Sequence, residues 1–148
     1  MKLPAAFYGA PFAHRGLHDL DKRRPENSPA AFRAAVEHGY GIELDVQLSA
    51  DGEAMVFHDY ALDRLTETQG ALRLRSADEL AKIPLKGGEE TIPTLAQVLD
   101  LIAGQVPVLV ELKDQDGGMG DDLGPLEEAT AAALKNYEGD IAVMSFNP

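Results

Sequence analysis

Gly41-Ile42-Glu43-Leu44-Asp45-Val46-Gln47-Leu48 is the stretch that decides how this chain folds. Ile42, Leu44 and Val46 fall on one side and Glu43, Asp45 and Gln47 on the other, the two-residue period of a β-strand. The apolar side suits packing beneath helices. The polar side sets two carboxylates about 6.6 Å apart along one face. In a buried sheet such a pair repels and loses hydration, so something positive must stabilise it. An edge strand with a wetted acidic face is the alternative.

The elements around this strand alternate. Ala10–His14 reads as a short buried strand, followed by the turn-rich Gly16–Asn27. Ser28 then caps a helix with Pro29 in its first position, Phe32, Ala35 and Val36 on one face, and Gly39 as its stop. After Leu48 comes the turn Ser49-Ala50-Asp51-Gly52 and a third strand, Glu53–His58. The segment 59–93 is long for a connection and holds one short helix opened by the capping box Ser76-Ala77-Asp78-Glu79. A second box, Thr94-Leu95-Ala96-Gln97, opens a helix whose stripe is Leu95, Val98, Leu99 and Ile102. A strand over Val106–Lys113, a glycine- and aspartate-rich loop over Asp114–Gly124, a helix bearing Leu126, Ala129, Thr130, Ala133, Leu134 and Tyr137, and a fifth strand from Ile141 to Phe146 complete the order. This succession predicts an α/β protein with a parallel sheet and helices outside it. Open doubly wound sheets and (β/α)8 barrels both fit.

The fourth strand repeats the pattern of the second: Val108, Val110 and Leu112 share one face, Leu109, Glu111 and Lys113 the other. Glu111 is thus a third inward carboxylate. His14, followed by Arg15 and Gly16, ends the first strand, and His58 ends the third. Functional groups of parallel-sheet proteins gather at such C-terminal strand ends. Glu43, Asp45 and Glu111 suit a hard divalent cation, Mg2+ or Ca2+. Arg15 and Lys113 supply fixed positive charge for an anion, and two imidazoles serve as acid and base near neutral pH. That combination suits displacement at phosphorus, where charge builds on non-bridging oxygens. A glycosidase would use its carboxylate pair without Arg or Lys beside it.

Composition narrows the partners. The 148 residues carry 25 acids and 13 bases, a formal charge of −12, which repels nucleic acid and anionic membrane. An apolar fraction of 45% with 26% charged residues is ordinary for a globular chain. No stretch approaches the ~18 apolar residues of a membrane span, so no stable membrane anchor is expected. There is no cysteine, which removes disulfides and thiolate metal sites. Pro4 and Pro11 break the apolar run Leu3–Ala13, so the chain reads as unprocessed and cytoplasmic. The Asp114–Gly124 loop lacks the Gly-Lys-Ser/Thr ending of a phosphate loop, and Pro125 stands where an EF-hand needs Glu. His38 suits a helix C-terminus; His18 reads as part of a surface loop, with approach to the site the alternative, and Arg64, Arg73 and Arg75 as solvated charges, with contact to an anionic substrate the alternative. Nothing in the residues specifies an oligomeric state.

His14-Arg15-Gly16, Pro25-Glu26-Asn27-Ser28, Glu43-Leu44-Asp45-Val46, Asp51-Gly52, His58-Asp59, Leu62-Asp63-Arg64 and Glu111-Leu112-Lys113, in this order, resemble the glycerophosphodiester phosphodiesterase family. Ser28 stands where that family commonly has threonine. The resemblance implies a TIM barrel and hydrolysis of a small glycerophosphodiester to an alcohol and glycerol 3-phosphate with a divalent metal. It makes Glu43, Asp45 and Glu111 the metal ligands, His14 and His58 the acid/base pair, and Arg15 and Lys113 the phosphate holders. Glu26 and Asn27 either brace that site or shape the turn before Ser28. Residues 59–93 match the family's insertion over the substrate side. A barrel needs eight strands, so residues 1–148 are expected to be a partial domain, truncated after the fifth strand, with little stability or turnover alone. The alternatives are a phospholipase-like lyase that stops at a cyclic phosphate, and a non-catalytic truncated barrel that only binds phosphate or a partner.

Overall fold

The computed structural model describes residues 2–148. Five strands form one sheet: β1 (Phe12–His14), β2 (Gly41–Leu48), β3 (Ala54–Val56), β4 (Val108–Leu112) and β5 (Ile141–Ser145). β1, β2, β4 and β5 lie side by side in that order and run parallel, while β3 pairs with β2 antiparallel. The helices are α1 (Pro29–Glu37), α2 (Ala77–Leu80), α3 (Leu95–Ile102) and α4 (Pro125–Leu134).

Local chemistry fixes most of these limits. The Ser28 hydroxyl accepts from the Ala31 N–H, and Pro29 occupies the first turn of α1. Both α2 and α3 open with complete capping boxes, at Ser76/Glu79 and Thr94/Gln97. The α3 stripe Leu95, Val98, Leu99 and Ile102 is buried against Ile42, Leu44, Val46, Val108 and Val110 of the sheet. Leu126 of α4 and Phe32 of α1 join the same core.

The direction of β3 corrects the expectation of a uniformly parallel sheet. Only residues 49–53 separate it from β2, and a parallel crossover takes a dozen or more. The chain therefore returns as a hairpin, with Val46 opposite Val56 and Leu48 opposite Ala54. The strand is also shorter than Glu53–His58, so His58 stands beyond its end. The Phe57 N–H donates to the Asp45 carbonyl at 3.1 Å, which carries His58 back along β2. It thus reaches the polar cluster from a returning hairpin arm rather than from the end of a parallel strand.

Segment 59–93 has a core of its own. Leu62, Leu72, Leu80, Ile83, Leu85 and Ile92 pack on Met55 and Phe57 of the hairpin arm. Among the described residues no helix is long and apolar enough to cross a membrane.

Candidate active site

The parallel register of β2 and β4 places Asp45 directly opposite Glu111, and that of β1 and β2 places His14 opposite Glu43. Oxygens of Glu43, Asp45 and Glu111 consequently lie within 4.8 Å of one another, and all three residues are buried. Their convergence follows from strand alternation and register alone.

Two basic side chains lie against this trio. Lys113 Nζ donates to Glu111 Oε1 at 2.9 Å and stands 3.8 Å from Asp45 Oδ1. Arg15 Nε stands 3.6 Å from Asp45 Oδ2, and the Arg15 backbone N–H donates to Glu43 Oε2 at 3.0 Å. The Asn27 amide donates to Asp45 Oδ2 at 2.9 Å. Asn27 is thereby tied to Asp45, while Ser28 beside it caps α1. His14 Nε2 lies 3.9 Å from Glu43 Oε2, its side chain 68% exposed and open to an incoming molecule.

Backbone strain accompanies this arrangement. Arg15 and Asn27 both have left-handed φ, 58° and 54°, a conformation that costs side-chain-bearing residues energy. The Asn27 N–H donates to the Arg15 carbonyl at 2.9 Å, so the two strained residues hold one another. Gly16, at φ 78°, permits the turn because a Cβ there would meet the Ala31 Cβ at 2.8 Å.

The donor set fits a hard cation. Glu43 Oε1 is buried with no hydrogen-bond partner among the described residues. Burial, and then the charge of Asp45 and that of Glu111, push the Glu43 carboxyl up to about 7, although the Arg15 N–H pulls it down. Lys113 and Arg15 thus leave one carboxylate of the trio unneutralised. Three convergent carboxylates with an orphaned oxygen match the oxygen preference of Mg2+ or Ca2+.

A second cluster adjoins the first. His58 Nδ1 lies 2.8 Å from Asp59 Oδ1, and the Arg64 guanidinium bridges Asp59 and Glu26. Glu26 Oε1 also accepts from Arg15 Nη1 at 3.1 Å, so Glu26 is shared between Arg64 and Arg15. Gln47, on the polar face of β2, donates from Nε2 to the carbonyls of Phe57 and Asp59, each at 2.8 Å. The carbonyls on both sides of His58 are therefore held by a buried side chain. Arg64 is paired with Asp59 and Glu26 rather than freely solvated, and Gln47, which alternation places on the polar face, also holds the backbone around His58. The alternation of β2 signals Gln47, on the same face as Glu43 and Asp45, whereas no local pattern places Arg64, whose bond to Glu26 spans 38 positions. His18 is exposed, and His38 Nδ1 stays on its own helix, 2.8 Å from the Ala34 carbonyl.

The profile of the glycerophosphoryl diester phosphodiesterase family matches residues 14–148. The chain belongs to that family. The glycerophosphodiester phosphodiesterase of Caldanaerobacter subterraneus subsp. tengcongensis is 41% identical over 145 residues, which span 91% of this chain and 57% of that protein. Among solved structures, an Oleispira antarctica phosphodiesterase in complex with the product sn-glycerol-3-phosphate superposes with a TM-score of 0.81 at 29% identity, covering 96% of this chain and 60% of that one. A glycerophosphodiester phosphodiesterase from Agrobacterium tumefaciens gives a TM-score of 0.74 at 30% identity, covering 93% and 58%. The fold is that of the family's TIM-barrel type, of which this chain supplies four parallel strands and the β2–β3 hairpin. It spans less than two thirds of the length of each of these three proteins.

Proposed function

We propose that this chain carries the catalytic residues of a metal-dependent phosphoric diester hydrolase that converts a small glycerophosphodiester into an alcohol and glycerol 3-phosphate. The observation that carries this reading is the buried trio Glu43, Asp45 and Glu111, within 4.8 Å of one another and with Glu43 Oε1 unpartnered. These three residues would hold Mg2+ or Ca2+. Such a cation, when bound, neutralises charge developing on phosphoryl oxygens.

The rest of the chemistry belongs to the chain's own side chains. Arg15 and Lys113, at the edge of the trio, hold the phosphate through fixed positive charge. His14 and His58 move protons. One takes the proton of the glycerol hydroxyl next to the phosphoester as that oxygen attacks phosphorus. The other delivers a proton to the departing alkoxide as its bond to phosphorus breaks. Water then opens the cyclic phosphate, with the two imidazoles exchanging roles. Glu26 and Asn27 hold Arg15 and Asp45 in place.

Residues 59–93 are the family insertion overhanging the substrate side, within a partial domain spanning 1–148. The half-exposed β5, with Val143 58% exposed, supports the expectation of low turnover by these residues alone. The partner is a small molecule rather than nucleic acid, in keeping with the charge of −12.

The test is phosphorus NMR of sn-glycero-3-phosphocholine incubated with the whole enzyme and Mg2+ or Ca2+. Glycerol 3-phosphate is the expected product, lost on adding EDTA. Persistent cyclic phosphate would identify a lyase instead. His14→Ala and His58→Ala should each lower turnover by about 10²–10⁴-fold with metal still bound, whereas Glu43→Ala should weaken metal affinity first. Retained turnover in either histidine variant overturns the acid/base assignment.

A further inference from the structure

The trio and the two histidines leave one prominent feature unused: an arginine from segment 59–93 that satisfies two carboxylates at once. Arg64 Nε donates to Asp59 Oδ2 at 2.8 Å and Nη2 to Asp59 Oδ1 at 2.8 Å. Nη1 donates to Glu26 Oε2 at 3.1 Å and Nη2 to Glu26 Oε1 at 2.8 Å. Both carboxylates are therefore gripped in the two-pronged geometry that lysine cannot reproduce. Glu26, His58 and Asp59 also offer atoms within 4.8 Å of one another, the spacing of a metal site. The guanidinium already donates to both carboxylates, so this cluster is closed by an arginine and not by a second ion.

The consequence falls on His58. Its Nδ1 lies 2.8 Å from Asp59 Oδ1, an oxygen that only accepts when the carboxylate is ionised. The hydrogen bond from Arg64, followed by the contact with His58, outweighs burial and holds the Asp59 carboxyl near 2. A carboxylate is ionised wherever the imidazole is neutral, so Nδ1 carries the proton and Nε2 presents its lone pair; what Arg64 adds is position, because its two bonds fix the Asp59 oxygens that Nδ1 meets. Gln47 holds the backbone on both sides of the ring.

We propose that Arg64 is a positioning residue that fixes the tautomer and orientation of His58 through Asp59. The same guanidinium joins this unit to Glu26 and, through Glu26 Oε1, to Arg15. The segment that carries Arg64 is thereby fastened to the loop that carries Arg15, and an imidazole is oriented by a group that never meets the substrate. The kinetic part of this assignment rests on the phosphodiesterase reading above; the tautomer does not.

The test is the nitrogen-15 spectrum of the histidine rings in the labelled chain, above the pH at which they are charged, in wild type, Arg64→Ala and Arg64→Lys. In wild type, His58 is expected to show a protonated Nδ1 and a bare Nε2. In Arg64→Ala it shifts toward the Nε2–H form that an unrestrained imidazole favours, and added guanidinium ion, well below unfolding concentrations, restores the original pattern. Arg64→Lys, which keeps the charge but cannot grip both carboxylates, gives an intermediate pattern. In the whole enzyme, Arg64→Ala should lower kcat by about 10–100-fold with KM little changed. A wild-type ring protonated at Nε2 overturns the proposal. So does an Nδ1–H tautomer that persists in the folded Arg64→Ala or, should that variant not fold, is undiminished in Arg64→Lys. If the enzyme fails on every glycerophosphodiester while the tautomer shifts as expected, the functional reading falls and the positioning role stands.

Discussion

The two faces of β2 are both buried, yet they are sealed by opposite means. Ile42, Leu44 and Val46 are each 0% exposed and belong to a hydrocarbon core shared with α1, α3, α4 and β4. Glu43, Asp45 and Gln47 are nearly as inaccessible, but they meet Arg15, Lys113, Asn27 and backbone carbonyls. The apolar face contributes stability by removing surface from water. The polar face carries left-handed φ at Arg15 and Asn27 and an unpartnered carboxylate oxygen on Glu43. One strand thus divides stability from function at a period of two residues.

The strongest way to break that division is through its apolar side. Leu44 is fully enclosed between the sheet and the helices, so Leu44→Ala removes hydrocarbon and leaves a cavity. A loss of about 2–5 kcal/mol is expected from urea unfolding. Because the carboxylates lie on the other face, whatever fraction stays folded should bind Mg2+ or Ca2+ with little change in affinity. Metal affinity falling in step with stability would show that the two faces are not separable.

The polar side should respond with the opposite sign. Glu43→Gln removes a charge that burial and Asp45 already disfavour. In EDTA at pH 7.5 the variant should be more stable than wild type, by on the order of 1 kcal/mol. Adding Mg2+ or Ca2+ should reverse the order, since the ion stabilises the chain that binds it better. A variant less stable than wild type even in EDTA would mean that the Arg15 N–H to Glu43 bond outweighs the repulsion.

Much of this contrast was legible in the sequence because its signals are local. The alternation from Gly41 to Leu48, the Ser28 cap before Pro29, and the capping boxes at Ser76 and Thr94 each act within a few residues. The convergence of Glu43, Asp45 and Glu111 followed because parallel register adds only one unknown to alternation. The antiparallel direction of β3 departs from the strand–helix alternation around it, and its signal is the 49–53 connection, too short for a crossover. Arg64 was harder to foresee. Its bond to Glu26 spans 38 positions and exists only because segment 59–93 folds onto its own core of Leu62, Leu72 and Leu80. A charged side chain has no periodicity to reveal such a contact.

The smallest expected effect sharpens the comparison at its margin, where the polar face meets solvent. Arg64 and His58 hold the Asp59 carboxyl near 2, below its unfolded value of 3.8. A depressed carboxyl contributes stability that is fully present above the unfolded value and is lost as pH falls through the folded one. Asp59→Asn removes that contribution, so at pH 7 it should unfold at lower urea, by on the order of 1 kcal/mol once solvent screening is allowed for. Between pH 5 and pH 2 most of the gap between variant and wild type should close, because Asp59 takes up its proton first in the unfolded chain and then, near pH 2, in the folded one. The same titration of Leu44→Ala should leave its gap open throughout, since hydrocarbon does not titrate. A gap for Asp59→Asn that stays constant down to pH 2 would place the strength of this corner in packing rather than in charge.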